Sequence, residues 1–202
     1  MRAVCAACGH IHYDNPKMVV GTIVSHQGKI LLCQRAIEPG VGKWTLPAGF
    51  MECGESTMQG AWRETFEEAC AQVRLIEPVY HMVDIPHIGQ THLFFRAELD
   101  TPEFGAGDET LQARLFAPDE IPWEDLVFRS SHSALRAWIA DSVHGVFPTR
   151  HVTLDPLVSG TCRIQHKPSC LSKSFSIRLN YPVTPTSTVA YRTATACTRW
   201  AL

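Results

Sequence analysis

No run of about 18 consecutive apolar residues occurs anywhere in the 202-residue chain, so nothing in it reads as a membrane-spanning helix. The opening stretch MRAVCAACGH also lacks the apolar core of a secretory leader, and a cytoplasmic protein is the expectation. An overall charge bias is missing too. The formal net charge is -2 and the pI is near 6.5, which argues against nucleic acid or an anionic membrane as partner and toward a small molecule. Acidic residues are nearly absent from one end: residues 151–202 hold 6 Lys/Arg and only Asp155, whereas residues 1–150 hold 12 Lys/Arg against 19 Asp/Glu. That last stretch also carries 14 Ser/Thr and four Pro without a helical or alternating apolar period. It reads as a low-order tail over 148–202, and its abrupt change of composition suggests an out-of-frame extension.

What remains is 45% hydrophobic and 19% charged, enough to bury a full core. Lys17 to Val24 (KMVVGTIV) and Lys29 to Gln34 (KILLCQ), separated by Gln27-Gly28, predict two strands joined by a tight turn. Lys43 to Leu46 predicts a short strand, and further strands are expected over Val79 to Val83, Thr91 to Leu99 and Leu111 to Phe116. Met58, Ala61, Trp62, Thr65, Phe66 and Ala69 recur at helical spacing, predicting a helix from Ser56 to Ala71 with Glu55 or Ser56 near its start and that apolar stripe toward the core. A second helix, capped by Ser130 or Ser131, would pack through Leu135, Trp138, Ile139 and Val143. Two helices around a mixed sheet give an α/β/α sandwich, with its end near Val146. Cys33, Cys53 and Cys70 read as reduced thiols in a chain without an export signal.

Within the first helix, Glu64, Glu67 and Glu68 stand at i, i+3 and i+4 and cover roughly 100° of its surface. Three like charges so close repel, and carboxylate oxygens in such a cluster suit a hard cation, Mg²⁺ or Mn²⁺. Arg63 reaches Glu67 at i+4 and can hold a carboxylate in one rotamer. Taken alone this is usually a solvated acidic face with a weak surface ion pair. The wider spacing changes the weighing: Gly49, Glu55, Arg63, Glu64, Glu67 and Glu68 form G-x5-E-x7-RE-x2-EE, a pattern met about once in 10⁵ random chains of this kind.

The segment GFMECGESTMQGAWRETFEEACA, Gly49 to Ala71, resembles the signature box of the Nudix hydrolases. It departs from the usual box in carrying Cys70 where a glycine is customary. The resemblance extends from about Val4 to Ile139, where CGHIHYDNPKMVVGTI, LLCQRAIEPGVGKWTLPAGFMECGE and LFAPDEIPW look like the zinc-ribbon-bearing bacterial branch, similar to plant plastid enzymes that hydrolyse ADP-ribose and FAD. It implies the Nudix sandwich over 16–147, Glu64, Glu67 and Glu68 as metal ligands, Arg63 orienting them, Gly49 contributing backbone, and Glu55 supporting the loop or a further metal. A general base would be a box glutamate or Glu109 in the loop GAGDETL. Pro86 resembles a feature of ADP-sugar hydrolases, and the proline and aromatic run of NADH-cleaving relatives is missing, which points to ADP-ribose or FAD with release of AMP. A homodimer is compatible with this reading. The competing one is a non-catalytic Nudix-like nucleotide-binding or regulatory module.

Cys5-Ala6-Ala7-Cys8-Gly9 has the form of a zinc knuckle, half of a tetrahedral Zn²⁺ site. Relatives supply the other half from an earlier C-x2-C, so residues 1–15 read as a partial ribbon that binds Zn²⁺ only when completed. Tyr80, His81, His87, Phe94 and Trp123 are candidates for a platform under the base.

Overall fold

The computed structural model describes residues 3–156. A small hairpin comes first: β1 (Ala3–Val4) and β2 (Ile11–His12) pair antiparallel. Between them Cys5 accepts from Gly9 N and donates its own N–H to His10 O, which brings Cys5 and Cys8 into one exposed turn. The backbone N–H groups of Cys8 and Ala7 hold the Cys5 thiol below its usual range.

β3 (Lys17–His26) and β4 (Lys29–Arg35) follow the pattern of the sequence and turn at Gln27-Gly28, both at positive φ as a type I′ turn requires. They remain paired only beside that turn, at Ser25↔Ile30 and His26↔Lys29. Further along they part: β4 pairs β5 (Trp44–Thr45), while β3 pairs β6 (Ala48–Phe50) through Val20↔Gly49. This fork is what opens the sheet to a ligand. α1 (Thr57–Ala69) follows, then β7 (Val73–Ile85), β8 (Gln90–Leu99) and β9 (Thr110–Phe116), α2 (Arg129–Ser142) and β10 (Arg150–Thr153). The sheet runs β10-β7-β8-β3-β4-β5, with β6 on β3 and β9 on β4; β3/β8 and β10/β7 are parallel, the other strand pairs antiparallel.

Neighbouring residues on β8 point to opposite faces, and this places the helices. Leu93 and Phe95 pack with Val20 and Ala61 of α1, whereas Phe94 packs with Ile23, Leu135 and Trp138 of α2. The result is the expected α/β/α sandwich with a mixed sheet.

Three details differ from expectation. Trp62 and Phe66 do not join the core: they are 42% and 43% exposed and stack on each other at i,i+4 with parallel rings, while Gly60, Ala61, Thr65, Glu68 and Ala69 form the buried stripe. The helical period was legible, but the aromatic edge of the apolar arc faces outward. Val143 lies beyond the end of α2 and is 76% exposed, and neither Ser130 nor Ser131 caps that helix, since Phe128 holds the cap position. Order also continues past 147, because Arg150–Thr153 adds a parallel strand to β7 and Val152 and Leu154 enter the core. The expectation of little stable structure otherwise falls on 157–202, outside the described residues.

Candidate functional site

The fork between β3 and β4, the acid face of α1 and the start of α2 enclose a cleft of about 1250 Å³. α1 begins with a capping box, Ser56 Oγ accepting from Gln59 N at 3.2 Å and Gln59 Oε1 accepting from Ser56 N at 2.8 Å. That start fixes the rotation that carries Glu64 and Glu68 into the cleft.

Arg63 is the hub of the acidic cluster. Its guanidinium donates twice to Glu55, at 2.8 and 3.0 Å, once to Glu64 at 2.7 Å, once to Glu67 at 2.9 Å, and to Phe50 O at 3.2 Å. The bonds from Arg63 hold the Glu55 carboxyl well below the usual carboxylate range. Glu64 is mostly buried, and burial raises its pKa despite Arg63. Glu68 lies deeper: burial pushes its carboxyl up to about 8 although Ala48 N donates to it at 3.1 Å. Glu67 is the exposed member and Glu68 also belongs to the buried stripe of α1, yet all three acids line the cleft. Gly49 sits directly against Glu64, where a Cβ would lie 2.2 Å from a carboxylate oxygen, so any side chain there would displace the acid.

The C-terminal end of α1 organises the loop that holds Glu109. Gly105 N donates to Ala69 O at 2.8 Å and Gly107 N to Glu68 O at 3.0 Å, satisfying carbonyls that a helix end leaves free. Glu109 then lines the cleft. Cys70 ends the helix at φ 47°, ψ 25°, the left-handed conformation that suits glycine. A side chain there costs about 1 kcal/mol, so Cys70→Gly is expected to raise stability by about 0.5–1 kcal/mol. Denaturant unfolding checks this, and an unchanged or lower midpoint would mean the Cys70 Sγ contact with Ala106 O outweighs the strain.

The opposite wall holds residues that no local motif announces. Arg35 of β4 packs its guanidinium over the Phe128 ring at 5.2 Å, and Arg129 donates to Asp155 O at 2.7 Å. Gln90, His92 and Ser130 line the cleft beside them. Of the proposed base platforms, His87 and Phe94 line it. Tyr80 and His81 are instead core residues, donating to Asp141 at 2.6 Å and bonding Ser133 at 3.0 Å respectively, and Trp123 packs on His132 and Arg136. Pro86 opens a single 3-10 turn whose neighbours Ile85 and Ile88 border the cleft.

Among the described residues no three His, Cys, Asp or Glu side chains are arranged as a metal-ligand set, at the acidic cluster or around Cys5 and Cys8. No helix among them is long and apolar enough to cross a membrane.

Comparison with known proteins gives concordant matches. A model of the NUDIX domain matches residues 15–139. The ADP-ribose pyrophosphatase of Methanocaldococcus jannaschii is 32% identical over 113 residues, 54% of this chain and 67% of that protein. The NAD-capped RNA hydrolase NudC of Chromobacterium violaceum is 27% identical over 65% of this chain, which spans about half (49%) of that relative. A crystal structure of a NUDIX hydrolase from Nitrosomonas europaea superposes with a TM-score of 0.73 at 46% identity, covering 76% of this chain and 86% of that one.

Proposed function

The chain belongs to the NUDIX domain family, and from that premise we propose that it is a divalent-metal-dependent pyrophosphohydrolase that cleaves ADP-ribose or FAD and releases AMP. The observation that carries the reading is the pair of desolvated carboxylates, Glu64 and Glu68, facing a large cleft, with Gly49 leaving the space that the Glu64 carboxylate fills. ADP-ribose comes first because the relative named for that activity is 32% identical over 113 residues.

The donor set fits a hard cation. Burial disfavours the charged form of Glu64 and Glu68, and a cation in the cleft is the partner that would hold both ionised. Glu64, Glu67 and Glu68 would hold Mg²⁺ or Mn²⁺, which supplies charge neutralisation of the diphosphate and a bound water of lowered pKa. The chain's own residues do the rest. Arg63 is a positioning residue that fixes the rotamers of Glu55, Glu64 and Glu67. Glu109, brought in by the loop's bonds to α1, is the candidate to accept a proton from attacking water. Arg35 and Arg129 add positive charge along a wall that an anionic substrate would meet.

The test is incubation of the full chain with Mg²⁺ or Mn²⁺ and ADP-ribose, FAD, NADH or nucleoside triphosphates, with product masses read out. Release of AMP with ribose 5-phosphate or FMN is expected. No turnover of any of them would favour the binding-module reading.

A further inference from the structure

Away from the acids of α1, three polar side chains form a line along the cleft. Gln90 and His92 stand two apart on β8 and share a face, and Ser130 lies in the first turn of α2. Ser130 Oγ is 2.9 Å from His92 Nδ1, and His92 Nε2 is 2.9 Å from Gln90 Oε1. Ile85, Phe94, Val127 and Phe128 supply apolar wall around them.

The direction of these bonds follows from chemistry. Burial lowers the His92 pKa to about 4, so near neutral pH the ring is uncharged and carries one N–H. A carboxamide oxygen can only accept, which puts that proton on Nε2 and makes Nδ1 the acceptor of the Ser130 hydroxyl. Donation therefore runs from Ser130 to His92 to Gln90. The oxygen of Gln90 is engaged, and its N–H₂ is the group left to offer a ligand.

We propose that Gln90 is a specificity-determining residue whose carboxamide, oriented by His92 and Ser130, donates to a ring acceptor on the base of the nucleotide bound in this cleft. The proposal rests on the pyrophosphohydrolase reading for the position of the diphosphate, over Glu64 and Glu68. Both sets of residues border the one cleft. Gly49 of β6 and His92 of β8 flank β3 at consecutive residues, Val20↔Gly49 and Val19↔His92, so Gly49 faces Glu64 on the α1 side and His92 faces Ser130 on the α2 side. A nucleotide in the cleft would lie across the fork, with its diphosphate at the acids and its base at Gln90.

Calorimetric titration of the full chain with AMP, and with deaza analogues in which each ring nitrogen in turn becomes C–H, separates this from a merely structural role. Gln90→Met is expected to weaken AMP about tenfold, the loss of one hydrogen bond, and to raise KM for ADP-ribose similarly with kcat nearly unchanged. One deaza analogue should bind the natural protein about tenfold more weakly than AMP, yet bind Gln90→Met as AMP does. Unchanged AMP affinity in Gln90→Met, or equal binding of every analogue by the natural protein, overturns the proposal. Should Gln90→Met lose its native circular dichroism, Ser130→Ala, which frees the His92 tautomer, is read the same way: weakened AMP supports the proposal and unchanged AMP overturns it. Because AMP binding needs no turnover, an inactive but AMP-binding protein would count against the hydrolase reading alone.

Discussion

Glu68→Gln is expected to lower kcat by about 10²–10⁴-fold while leaving the melting temperature unchanged or higher. The two effects part company because one carboxylate has two energetic roles. In the folded chain it is a charge held out of water, which burial pushes toward protonation, so a neutral amide of the same shape relieves that cost and still accepts the Ala48 N–H. In the proposed reaction it is a ligand to the cation, and losing such a ligand sacrifices several kcal/mol of transition-state stabilisation, each 1.36 kcal/mol being about tenfold in rate. Steady-state kinetics on the best substrate and a thermal melt measure both. A variant within tenfold of the natural kcat would remove Glu68 from the machinery, and a drop in stability above about 2 kcal/mol would recast it as a structural acid.

Gly107→Ala is expected to cost about 3 kcal/mol, which for a chain of this size is a fall of about 6–12 °C in melting temperature. The added methyl would stand 1.6 Å from Glu67 O, a backbone atom inside α1, so neither partner can rotate away. The loop must lift, losing the Gly107–Glu68 and Gly105–Ala69 bonds and carrying Glu109 off the cleft. Gly105→Ala is the internal control, since a methyl there meets nothing within 4 Å. A melt of both variants decides: equal temperatures would mean the loop yields without cost.

How much of this was legible in the sequence depends on how local the cause was. The fold at the carboxylate helix is spelled by spacing, because one helix turn relates Arg63, Glu64, Glu67 and Glu68 whatever surrounds them. Which of those acids is buried was not, since that depends on how β6 approaches α1. The same limit made Trp62 and Phe66 look like core: periodicity gives the apolar arc but not where the sheet meets it. Gln90 and His92 carried no signal and Ser130 was read only as a helix cap, because Ser130 meets His92 only through the seating of α2 on the sheet. Arg150–Thr153 was invisible for a related reason: four residues cannot show a period, and the strand exists only because β7 offers it a partner.

That last strand sets where the molecule can be shortened. Its four residues bond to His81–Asp84 of β7, Leu154 N donates to Asp84 O at 2.8 Å, and the Arg150 guanidinium pairs with Asp141 of α2. A chain cut at 147 would leave that stretch of β7 as a bare outer edge, its backbone donors and acceptors open to a neighbouring molecule and the apolar seats of Val152 and Leu154 uncovered. Such a fragment would be expected to associate edge to edge at working concentrations, so the smallest well-behaved catalytic piece has to run through Asp155.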